Sequence, residues 1–142
     1  MPSRWPYIVF LSLASISLIF ALSSCAKGMD GVRQSLTNAS QVQTEIMGQI
    51  LKFDSEHQKK LVDDAHGDLE RAKASIATYR ENRDAVVKLI LEVGTLTKVA
   101  SEMIPLVEAG TKPRAELDDL LAILIQLSAK VVQASHDLRF KW

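Results

Sequence analysis

From Leu61 to Val107 the chain places a core-type residue every three or four positions and never loses phase. The series runs Leu61, Ala65, Leu69, Ala72, Ile76, Tyr79, Arg83, Val86, Ile90, Val93, Thr97, Ala100, Ile104 and Val107. A repeat near three and a half residues, held this long, describes a helix packed along a coiled-coil-like seam. A strand would instead alternate with a period of two. The seam therefore sets the fold class before anything else is known.

The flanking segments carry the same spacing. Val32, Leu36, Ala39, Ile46, Ile50 and Phe53 trace one helix face, with Gln43 as a polar interruption. Asp54 or Ser55 offers an N-cap for a following helix. Thr111, Pro113 and Glu116 open the last helix, and Leu117, Leu120, Leu124, Leu127, Val131, Ala134 and Leu138 continue the seam. Asp118 and Asp119 near its start, with Arg139 and Lys141 near its end, complement the helix dipole. The expectation is all-α: antiparallel helical hairpins forming a three- to four-helix bundle with a long coiled-coil-like middle helix.

The uninterrupted phase favours one helix over residues 55–109, covered end to end by the two flanking helices. A break within Arg80–Asp84 would give four shorter helices instead. Residues 54–84 are charged and alanine-rich, whereas 85–109 are much more apolar. Pro105 should bend the helix or end it early, because it removes a ladder bond.

The first 24 residues have a different character. Arg4 gives a positive start, residues 7–22 carry no charge, and Leu22-Ser23-Ser24-Cys25 closes the segment with small residues before the single cysteine. That three-part layout describes a secretory signal peptide, and its apolar run is shorter than a comfortable membrane span. Leu-Ser-Ser-Cys resembles the lipobox of bacterial lipoproteins. The resemblance implies cleavage between Ser24 and Cys25, a diacylglycerol on the Cys25 thiol and an acyl chain on the new amine. Two or more chains exceed the threshold for stable anchoring. A signal peptidase site after Ser23 and an uncleaved anchor helix are the alternatives. Ala26 is not the aspartate that typically retains such lipoproteins in an inner membrane, so the resemblance implies an outer-membrane anchor facing the periplasm. The expected organisation is a signal at 1–24, a lipidated cysteine and tether at 25–31, and a helical domain at 32–142.

Charge and chemistry narrow the function. Taking Arg4 away leaves 16 basic against 17 acidic side chains, without a basic block, which argues against nucleic acid as a partner. No Gly-x-Ser-x-Gly elbow, phosphate loop or zinc-ligand spacing occurs, and an enzyme is not expected. No cofactor is expected beyond the acyl chains on Cys25. Asp63 and His66 stand three apart, the spacing of half a carboxylate-bridged di-metal site, but no second acid-x-x-His pair completes it. A solvated face with ion pairs is the plainer account. Arg83, on the seam between Tyr79 and Val86, either reaches to water, sets register, or meets a partner. Phe140 and Trp142, interleaved with cations, form the best candidate for an exposed contact.

These readings lead to a lipid-anchored helical protein of the bacterial envelope. Its partners would be the bilayer, through its acyl chains, and an envelope protein or a second copy of itself. Its work would be non-enzymatic scaffolding. One alternative is a pilotin-like chaperone of an outer-membrane secretion complex, a likeness of anchor and architecture alone. The other is a metal-binding helical bundle built on the Asp63–His66 region.

Overall fold

The computed structural model describes residues 28–140, with side chains through Leu138. The chain forms three helices: α1 (Met29–Asp64), α2 (Leu69–Glu108) and α3 (Arg114–Phe140). They pack antiparallel, and α2 lies against both of the others. At 36, 40 and 27 residues, they are about 54, 60 and 40 Å long.

The helix boundary at Asp54 and the single helix over 55–109 are both corrected. The first helix continues unbroken through Asp54 to Asp64, and the turn lies at residues 65–68. The cause is local. His66 (φ 51°) and Gly67 (φ 87°) take left-handed conformations that end α1. Asp68 then caps α2, its Oδ1 accepting from the Arg71 N–H at 3.0 Å. Leu61 thus lies before the turn, Ala65 at its start and Ala72 after it, while Leu69 is 66% exposed. The seam kept its phase across a turn, which is why periodicity alone reads straight through it.

At its other end α2 carries Pro105 without breaking and stops at Glu108. The proline sits within the last turn, where few ladder bonds remain to lose. Gly110 (φ 72°) follows, with Thr111 N–H bonding Leu106 O and Gly110 N–H bonding Val107 O. This pairing satisfies the orphan carbonyls of the helix end.

Contrary to the expectation from the sequence, the flanking helices do not divide α2 end to end; both run along its C-terminal part, each packed on α2. Arg33–Glu108, Gln43–Thr97, Asp54–Arg83 and Gln58–Arg80 contacts follow in strict reverse order, so α1 pairs with α2 along its whole length. α3 starts from the same end and, being shorter, covers about the C-terminal two-thirds of α2. Val86, Ile90, Val93, Ala100 and Ile104 of α2 are buried against Val32, Leu36, Ala39 and Ile46 of α1 and Leu117, Leu121, Leu124 and Val131 of α3. The composition gradient along α2 follows. Its apolar part, from residue 85 on, is flanked by both α1 and α3, while its charged, alanine-rich part at 69–84 meets α1 alone and needs only Ala72 and Tyr79 as buried apolar residues.

Candidate interaction site

Three regions of the described residues carry more than packing: a polar cluster on the α1–α2 seam, the turn between these helices, and the two outer flanks of α2.

The polar cluster forms around Asp54. Arg83 Nη1 donates to Asp54 Oδ1 at 2.8 Å, and Arg83 Nε and Nη2 donate to Asp84 Oδ1 at 2.9 and 2.7 Å. Gln58 Nε2 donates to Asp54 Oδ2 at 2.8 Å, and Arg80 donates in turn to Gln58 Oε1. The His57 ring packs on Tyr79, with centroids 4.7 Å apart. Asp54 and Arg83 side chains are each 22% exposed. Burial, then the charge and hydrogen bonding of Asp54, push the Tyr79 hydroxyl up to about 12. The hydrogen bonds to Asp54 and then Asp84 hold the Arg83 pKa above its ordinary value. Arg83 is thus engaged across the hairpin, the geometry of a register-setting residue. Asp54, expected from sequence as a helix cap, is instead its partner; a four-three step from Ile50 would have marked it as a seam position.

Asp63, in the last turn of α1, and His66, in the turn itself, do not share one helix face. α1 ends at Asp64, and His66 lies in the left-handed turn that follows. That geometry removes the i, i+3 relation on which a shared site would depend. Among the described residues, no group of three or more His, Cys, Asp or Glu is placed to hold a metal ion. Val62 and Leu69, on either side of the turn, are exposed.

Phe140 ends α3, and its side chain, like all of Ser24, Cys25 and Trp142, lies outside the described residues. Among the described residues, no helix is long and apolar enough to cross a membrane.

The flanks of α2 differ. Between α1 and α2 runs an open cleft of about 510 Å³ lined by Thr37, Ser40, Gln41, Gly94, Lys98 and Ser101, among others. Thr37, Thr97 and Ser101 turn their hydroxyls onto carbonyls of their own helices, so these hydroxyls are already satisfied. Gly94 leaves room for Gln43, whose Oε1 would lie 3.2 Å from an added Cβ and whose Nε2 donates to Thr97 Oγ1 at 3.3 Å. Between α2 and α3 the outer flank is apolar instead, with Leu96, Met103, Leu120 and Leu127 half-buried against the core.

Ser128 of α3 is only 2% exposed, and its hydroxyl has no hydrogen-bond partner. A buried hydroxyl without a partner costs stability, and alanine is the better helix former. Ser128→Ala is therefore expected to raise the unfolding free energy by about 1 kcal/mol in urea titration. A loss of stability would mean that the hydroxyl is bonded in solution.

The sequence matches no protein-family model, and no curated protein or solved structure is significantly similar to it.

Proposed function

We propose that this chain is a lipid-anchored protein of the bacterial envelope whose helical domain works as a non-enzymatic scaffold or adaptor. The observation that carries the reading is Leu22-Ser23-Ser24-Cys25, placed after an uncharged run and just before the fold begins. Acylation of Cys25 supplies the anchor, and no step of catalysis is needed.

The fold supports the reading through its ends. α1 begins at Met29, four residues after Cys25, and the α2–α3 connection at residues 109–113 lies at that same end of the bundle. An acylated Cys25 therefore holds the domain by its base, on a tether too short to let it stray. The α1–α2 hairpin then stands about 54 Å off the bilayer when upright, and the 65–68 turn is its far tip. Confinement to a surface raises the effective concentration for other membrane-bound proteins, while exposed helix faces supply the contacts.

Two measurements test it. Intact mass of the protein from native membranes is expected to show loss of residues 1–24 and acyl mass on Cys25. A free Cys25 thiol, or Met1 still present, overturns the anchor. Crosslinking in those membranes, read by mass spectrometry, is expected to yield a stoichiometric envelope protein; its absence overturns the adaptor role.

A further inference from the structure

The apolar flank between α2 and α3 is a groove without a cover. Leu96, Val99 and Met103 line it from α2, and Leu120, Ile123 and Leu127 from α3; Leu106 extends it toward the connection. Val99, Leu106 and Ile123 are 39, 43 and 47% exposed, high values for residues beside a buried core. The cleft on the opposite flank is lined largely by hydroxyl side chains and Lys98 instead.

We propose that this groove seats a second copy of the same chain, related by a two-fold axis parallel to the helices; this orientation rests on the lipid-anchored reading. The two copies then form a four-helix bundle in which each α2 lies between its own α3 and that of the other copy. Every neighbouring pair is antiparallel, the up-and-down arrangement that such bundles favour. Both base ends face the same way, as two chains anchored in one membrane require.

Charge placement points to this occupant. Val99 is nine residues before the end of α2 and Ile123 nine after the start of α3, so the two share a level. Glu92 and Lys130 are each sixteen residues from those same ends and share another. Both are exposed, on opposite rims of the groove, and neither has an ion pair or hydrogen bond among the described residues. The two-fold brings Glu92 of each copy to the level of Lys130 of the other, making two symmetric pairs. Between them, residues 120–129 of α3 carry no charge, so the face meets its own image without repulsion.

The strip is short. Leu96 to Leu106 is about 15 Å of helix, less than the roughly 800 Å² per partner of a stable interface would need. The dimer is therefore expected to be weak in dilute solution and to form where anchoring concentrates the chain.

The test uses the full-length protein purified from membranes and reconstituted in phosphatidylcholine vesicles. Ser55→Cys, at an exposed site, provides the labelling thiol for donor and acceptor pools. Energy transfer is expected to rise with surface density in the otherwise wild-type chain. Ile123→Asp would place a carboxylate in the groove of each copy and is expected to weaken association about tenfold or more. Glu92→Lys and Lys130→Glu should each weaken it, and the two together should restore it, with helicity and thermal midpoint checked for every variant. Density-dependent transfer that survives Ile123→Asp, or no transfer in the wild type at the highest density, overturns the proposal. Intact mass of the same preparation reads the anchor separately. If Cys25 carries no lipid, the anchoring fails by itself. Sedimentation of the same variants at high concentration then decides the groove: a dimer abolished by Ile123→Asp supports it, and one unaffected rejects it.

Discussion

Leu124→Ala is expected to lower the unfolding free energy by about 3 kcal/mol. Leu124 is 1% exposed in the middle of α3, within the core that also holds Val93 and Ala100 of α2. A Leu→Ala change loses the transfer energy of the removed atoms and leaves a cavity that straight helices close only partly. The part of the bundle where α1 and α3 both flank α2 has no second core to absorb the change. At about 4–8 °C per kcal/mol for a domain of this size, the thermal midpoint should fall by roughly 12–24 °C. Leu51 and Leu91 supply the contrast, being 65 and 60% exposed on α1 and α2. Alanine at either should change stability by about 0.5 kcal/mol or less. Circular dichroism melts of the three variants decide the point. Equal, small shifts would mean that α3 does not pack as described.

How much of this was legible beforehand differs from element to element. The α3 helix is legible over Leu117 to Leu138, because its start carries a proline and its apolar spacing is regular, but its seam only in part: Leu121 and Ser128 are buried, while Leu120 and Leu127 are half-buried on the flank. The seam of α2 was read as a seam, but its beginning was misplaced. The 65–68 turn preserves heptad phase, and Gly67 is its one strong local signal. That error moved the helix boundary to Asp54 and put Asp63 and His66 on a helix face they do not share. It also hid the Asp54–Arg83 pair, since a residue taken as a cap is not looked for on a seam. The unlike flanks of α2 could not be found from one helix alone. Leu96, Val99 and Met103 become a groove only once the side occupied by α3 is known. Leu22-Ser23-Ser24-Cys25 is the reverse case: its resemblance to a lipobox is read entirely from sequence.

Asp54→Ala is expected to cost about 2 kcal/mol at neutral pH, less than the 3–5 kcal/mol of breaking a fully buried pair. The discount follows from 22% exposure of each partner and from Asp84, which still holds Arg83. The alkaline limb is the more distinctive readout. Tyr79 is 3% exposed, and its pKa in the fold is about 12, above the ordinary 10. A raised folded pKa favours the neutral hydroxyl, so its contribution is fully present below pH ~10 and fades as pH rises through about 12. The wild type should therefore lose about 2–3 kcal/mol across that window. Tyr79→Phe should abolish this loss. Asp54→Ala should only reduce it, because burial is the larger cause and the carboxylate the lesser. An alkaline limb unchanged by Tyr79→Phe would place the titration elsewhere. The cluster's larger role is then tested by making it apolar, as Asp54→Leu with Arg83→Met. Replacing a buried pair by packed hydrocarbon often restores or raises stability. It would also remove the charged groups that oppose a one-heptad slide of α1 along α2, leaving the neutral Gln43–Thr97 contact as the weaker register mark. A stable double variant with doubled amide resonances would identify the cluster as the register pin of the hairpin. A stable variant with a single set would assign register to the short connections at 65–68 and 109–113 instead.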